Sequence, residues 1–123
     1  MPAASPPETA EAFAPAVERV REAMLLLPDV TESTSYGTPS LKIGKKLLTR
    51  VKDPMTLVIM CPREEKAALM ETAPDIYFET DHYKGWPAIL VRVDAISDAE
   101  LIHRLKCAIR LQAPTRRAIR DDR

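Results

Sequence analysis

The densest group of chemically capable side chains is Asp81, His82, Tyr83 and Trp86, within the stretch Thr80 to Pro87. A carboxylate, an imidazole and a phenol are residue types of general acid–base chemistry. Neighbours in an extended loop point different ways, so they do not form a preassembled dyad. Glu32, Ser33 and Ser35 can supply partners, but no spacing fixes their geometry. With only Gly37, Gly44 and Gly85 as glycines, the chain has no nucleophile elbow and no phosphate-cradling loop. No catalytic residue is assigned and no cofactor is expected. An enzyme using His82 ranks behind two binding readings. The plain alternative is loop packing, with Tyr83 and Trp86 covering the edge of a core.

Metal and thiol chemistry are weaker still. His103 and Cys107 lie four apart on one predicted helix, a spacing that can bring two ligands together. No third or fourth ligand is nearby in sequence, so no metal site is expected. Cys61 stands where a helix N-cap would be, and a helix N-terminus stabilises a thiolate. A small residue at a strand end is the simpler reading. The two cysteines lack metal-type spacing and read as free thiols in a reducing cytoplasm.

Two binding readings remain. Lys42, Lys45, Lys46, Arg50 and Lys52 fall in a segment without an acid, on a predicted hairpin that has Lys45 at its tip and can carry Lys46, Arg50 and Lys52 on one side. A basic β-ribbon of this kind can grip phosphates, and a DNA-binding or regulatory module with duplex DNA as the partner is the first expectation. The pI of about 6.7 is low for a DNA-binding domain, and lysines also guard sheet edges against aggregation. In the second reading, the Tyr36–Pro39 and Asp81–Trp86 loops meet and form a small-molecule pocket. Tyr36, Thr38, Asp81, His82, Tyr83, Trp86 and Arg92 are its candidate residues.

The elements that must position these residues follow from periodicity. Phe13, Val17, Val20, Met24 and Leu27 make one apolar stripe, a helix over 15–27 stopped by Pro28. Residues 31–60 read as strands, within which Leu41–Ile43 and Lys46–Val51 flank Gly44-Lys45, a type II′ hairpin. Thr56–Met60 is apolar on both faces, which predicts an interior strand. Pro62 opens a second helix at its first position, ending near Ala73. Ile76–Glu79 is a short strand candidate. Ala88–Asp94 alternates cleanly, with Ile89, Val91 and Val93 on one face and Leu90, Arg92 and Asp94 on the other. Ser97 and Glu100 form a capping box for a third helix over 98–113, its apolar side carrying Leu101, Leu105, Ala108 and Ile109, with Pro114 ending it.

These elements predict an α+β domain: an antiparallel sheet made of the 41–60 meander and strand 88–94, with two amphipathic helices packed on it. At 123 residues, 46% hydrophobic and 29% charged, the chain reads as one soluble cytoplasmic domain over 10–115. It is framed by a disordered arm at 1–9 and a basic tail at 116–123. No apolar run approaches a membrane span, so no membrane partner is expected. Oligomeric state is not legible in the sequence.

Leu27-Pro28-Asp29-Val30, Glu32 to Lys42 and Thr80 to Pro87 followed by Leu90-Val91-Arg92-Val93 resemble the MmcQ/YjbR family in order and spacing, over about residues 12 to 115. Tyr36, Gly37, Pro39, Asp81, His82, Tyr83, Gly85, Trp86 and Arg92 carry the resemblance. It implies a small bacterial α+β domain with an antiparallel sheet. It also implies DNA binding, by analogy of fold with the double-wing domain of a phage transcription factor. It brings no catalytic assignment. Cys61 before Pro62 and the N-terminal arm depart from the pattern.

Overall fold

A computed structural model describes residues 14–27, 29–35 and 37–113. The expected arm (1–9) and tail (116–123), and the roles given to Phe13, Pro28, Tyr36 and Pro114, lie outside the described residues.

The first helix, α1 (Ala14–Met24), buries Ala16, Val20 and Ala23. It ends before position 28 because its last turn tightens: the Leu25, Leu26 and Leu27 amides donate to the carbonyls three residues back. Asp29 then takes a left-handed conformation (φ 66) that turns the chain into β1 (Val30–Ser35). Strands β2 (Thr38–Ile43), β3 (Lys46–Asp53) and β4 (Thr56–Met60) follow as a meander. At the β2–β3 turn Gly44 has φ +61, while Lys45 is not among the residues with positive φ. That combination is the type II′ pattern, and Ile43 pairs with Lys46 across it.

Helix α2 (Arg63–Thr72) has Pro62 as its N-cap, so it starts one residue later than the sequence suggests. Strand β5 (Tyr77–Phe78), a 3-10 turn (Asp81–Tyr83), β6 (Ala88–Arg92) and α3 (Asp98–Gln112) complete the described chain. The capping box at α3 forms: Ser97 Oγ accepts from the Glu100 amide at 3.1 Å.

The strands make one antiparallel sheet in the order β1-β2-β3-β4-β6-β5. It is wider than the four strands expected. β5 joins one edge, and β1 joins the other, with Ser35 opposite Thr38. The sequence of β1, Val-Thr-Glu-Ser-Thr-Ser, has almost no apolar signal because an edge strand is largely solvated. β4 is interior, between β3 and β6, as its apolar run predicts.

Helices α1 and α3 cover one face of the sheet. Val20, Leu101, Leu105 and Ala108 join Leu41, Ile43, Leu48, Leu57, Ile59, Ile89 and Val91 in a single core. Val17 and Ile109 pack at its margin. Arg19 of α1 secures the packing by donating to the Ile96 carbonyl at 2.8 Å and to Asp98 Oδ1 at 2.8 Å. A bulge in β3, where Leu41 pairs with Thr49 but Lys42 pairs with Leu47, turns both Leu48 and Thr49 toward the helices. Leu47 and Arg50 are left on the opposite face.

Leu105 is fully buried, whereas Ile109 lies at the margin of the core. Leu105→Ala should lower unfolding free energy by about 2–5 kcal/mol, and Ile109→Ala by clearly less. Urea denaturation of both variants checks this; equal losses would contradict the packing.

Candidate functional site

Strand alternation leaves the second face of the sheet with its own small core. Val58, Tyr83, Ala88 and Leu90 are buried there, with Met60 and Phe78 against them. This corrects the amphipathic reading of β6: Leu90 is as buried as Ile89. Among the described residues, no helix covers this side. What covers it is the loop between β5 and β6, and the loop covers it only in part.

The loop is held from beneath. Lys66 of α2 is buried, and its ammonium reaches three acceptors: the Tyr83 carbonyl at 2.7 Å, the Trp86 carbonyl at 3.0 Å and Glu79 Oε1 at 2.7 Å. An ammonium has three donors, so each is matched. Short local bonds complete the loop. The Tyr83 amide donates to the Thr80 carbonyl at 2.9 Å and the Trp86 amide to the Tyr83 carbonyl at 3.0 Å. Gly85 has φ +82, a left-handed conformation that favours glycine, and the Cys61 amide closes the loop's end by donating to the Pro87 carbonyl at 2.8 Å.

Between loop and sheet lies a cavity of about 360 Å³. Its floor is apolar: Leu47, Val58, Met60 and Ala88 from β3, β4 and β6. Its wall is aromatic and cationic: His82, Tyr83, Trp86 and Arg50. The imidazole stacks on the indole at 5.8 Å between centroids and 28° between planes, and the Tyr83 ring meets both edge-on. Tyr83 is buried, while Trp86 remains 48% exposed. The guanidinium of Arg50 is braced by two bonds, to Thr38 Oγ1 at 3.2 Å and to the Tyr83 hydroxyl at 3.1 Å.

Arg50 thus joins the two loop regions that the sequence singles out, since Thr38 begins β2 and Tyr83 sits on the loop. His82, Tyr83 and Trp86 come together as expected. Asp81 and Arg92 do not join them in the cavity. Asp81 is exposed, 3.9 Å from Lys84, and the Arg92 guanidinium lies 4.2 Å over the Phe78 ring. Tyr36 is outside the described residues.

The hairpin cations do not form one ridge. Lys46 pairs with Ile43, whose side chain faces the helices, whereas Arg50 pairs with Ser40 on the other face. The bulge between them separates the two. Lys45 and Lys46 are exposed at the tip, Lys42 and Lys52 are half-buried, and Lys52 lies 3.9 Å from Asp53.

Sequence reasoning missed Lys66, Glu79 and the cavity floor. A signal for Lys66 exists: it falls in helical phase with Leu69, Met70 and Ala73, which pack against the core. A charge on an apolar stripe needs a buried partner.

The thiols are not part of the site. Burial, then the Glu65 carboxylate, pushes the buried Cys61 thiol up to about 11, so it is no thiolate at neutral pH. Cys107 Sγ sits 3.8 Å from His103 Nε2 and accepts from Arg110 at 3.2 Å. Among the described residues, no three His, Cys, Asp or Glu side chains gather as a metal site would require. No helix among them is long and apolar enough to cross a membrane.

Two measurements test this construction. Lys66→Met should cost about 2–4 kcal/mol, less than a fully enclosed pair because Glu79 keeps some solvent contact. It should also red-shift the native emission of Trp86, the only tryptophan; an unchanged urea midpoint and spectrum would remove the loop-anchoring role. For Cys61, the unfolded thiol ionises near its ordinary 9.0 while the folded one waits until about 11. Stability therefore falls as pH rises through that window, and Cys61→Ala should flatten its slope by up to about 1.4 kcal/mol per pH unit. Denaturant midpoints at several pH values for both proteins read this out.

The sequence profile described as YjbR matches residues 25–111. Uncharacterised proteins of Mycobacterium bovis and Mycobacterium tuberculosis are 41% identical over 49 residues, which is 40% of this chain and 38% of theirs. The chain thus spans 38% of the length of these relatives. No solved structure matches. The profile match runs from the end of α1 nearly to the end of α3 and takes in the whole sheet, the braced loop and the cavity: the chain belongs to the YjbR family.

Proposed function

We propose that the open face of the sheet is a binding site for a small molecule. The observation that carries this reading is the cavity: a concave apolar floor, an aromatic wall and a single braced guanidinium. Ligand sites have this make-up, apolar contact area with few, well-fixed polar groups. Its volume of about 360 Å³ lies near the lower end of the usual range of about 300–1,000 Å³. The ring contacts of His82 are with Tyr83 and Trp86, an arrangement suited to holding a ligand rather than to moving a proton.

Screening fragment-sized aromatic compounds against the chain by amide NMR tests the proposal. Shifts should cluster at Leu47, Val58, Tyr83 and Trp86. Leu47→Phe, which extends a half-buried floor residue into the cavity, should abolish them with little change in melting temperature. Hits that ignore this substitution, or the lack of any hit, would overturn the reading.

A second reading is duplex DNA bound through the hairpin, favoured by the exposed Lys45 and Lys46 at its tip with Lys42, Arg50 and Lys52 behind them. Phosphate contacts release counterions, so affinity should fall steeply with salt. Each phosphate-contacting lysine removed should lower the log–log salt slope by roughly one. Titrations of wild type and Lys45→Ala/Lys46→Ala at low and physiological salt decide it. No binding at low salt, or equal binding by the double variant, ends the DNA reading.

A further inference from the structure

Taking the cavity as a ligand site, as proposed above, we infer the class of its ligand: a planar aromatic ring carrying one anionic group. The ring lies between the Trp86–His82 stack and the apolar floor, and the anion meets Arg50.

Three independent features point this way. The first is charge. Among the described residues, the lining of the cavity holds a guanidinium and no carboxylate. By register, the same sheet face also presents Lys42 and Arg92, each on the face of Arg50 or of Val58 through its strand pairing. Glu79, the nearby acid on the loop, is engaged by Lys66 rather than by the cavity. Two acids lie farther out: Asp53, on this face through its pairing with Thr56, is 3.9 Å from Lys52, and the exposed Asp81 is 3.9 Å from Lys84. The cation nearest the cavity is Arg50, so the local balance favours an anion over a neutral or cationic ligand.

The second is geometry. Thr38 and Tyr83 each accept from a different terminal nitrogen of Arg50, so the guanidinium plane is set before a ligand arrives. A pre-oriented guanidinium suits a planar carboxylate, and pre-orientation lowers the cost of binding.

The third is shape. Trp86 is half exposed although it borders an apolar cavity, and its partner His82 lies stacked only 28° from parallel. The floor opposite consists of side chains from three adjacent strands, a broad apolar surface. A flat ring can contact both sides at once, covering apolar area on each. A saturated, puckered ring of the same composition loses part of that contact.

Calorimetry with three probes tests the inference: 2-naphthoate, its neutral counterpart 2-naphthalenemethanol, and the saturated decalin-2-carboxylate. In wild type the naphthoate should bind about tenfold or more tighter than either of the others. Arg50→Gln should bring the naphthoate down to the level of the alcohol while leaving the alcohol within about twofold. Arg50→Lys, which keeps the charge without the planar fork, should fall between them. The comparison of probes in wild type stands by itself if the Arg50 variants are poorly folded. Equal affinity for acid and alcohol, or for flat and puckered acids, overturns the ligand class and leaves the cavity as a site for something else. If none of the three binds, fragment hits that respond to Leu47→Phe mean that only the class is wrong. Without such hits, the site itself falls.

Discussion

A single buried ammonium holds the open face in shape. Lys66 reaches it from α2, and its acceptors span the loop from Glu79 to Trp86. Burying a charge is costly unless its donors are matched, and here the match comes from one carboxylate and two main-chain carbonyls. Those carbonyls belong to residues that present rings to the cavity. The same contacts that satisfy the lysine therefore position Tyr83 and Trp86. Unanchored, a loop of this length with few apolar contacts would fluctuate over the sheet, and the cavity would lose its roof.

The sheet is asymmetric in how its faces are closed. Two amphipathic helices fill one face with aliphatic side chains. The other has only the cluster around Val58, Tyr83 and Leu90, and the loop is too short to extend that cluster across β3. Among the described residues, the concavity lies where this cover stops. The bulge at Leu48 adds to it, turning one more side chain toward the helices and leaving Leu47 and Arg50 to border the gap. Arg50 can stand beside apolar residues because Thr38 and Tyr83 accept its donors.

Charge is distributed with similar economy. A second buried cation, Arg104, approaches Glu65 Oε2 at 3.4 Å, an ion pair in distance without hydrogen-bond geometry. It joins α3 to α2 on the helix side much as Lys66 joins α2 to the loop. Arg21 and Glu32 tie α1 to the edge strand at 2.7 Å, and the hydrogen bond from that guanidinium holds the Glu32 carboxyl below its usual range. These pairings lie between different elements, so an even overall balance of acids and bases reveals nothing of them.

What the sequence determined by itself is whatever depends on near neighbours. The stripe of Val17, Val20 and Met24, the Ser97 capping box, the Gly44 turn and the apolar run Thr56–Met60 each encode their element locally, and each forms close to where it is predicted. So the α+β class was legible, as were the meander and the family. So too was the clustering of His82, Tyr83 and Trp86, which are sequence neighbours. Tertiary structure alone decided the rest. The polar strand β1 falls in the 31–60 stretch read as strands but has no apolar signature, and only pairing with β2 gives it its place at the sheet edge. Lys66 carries no local mark of its three acceptors, which arrive from 13 to 20 positions away. Arg50, a hairpin cation by sequence, became part of a cavity wall because a one-residue bulge moved it off the face of Lys46. Side-chain direction in a strand reverses with every residue, so one irregularity is enough to change which surface a charge belongs to.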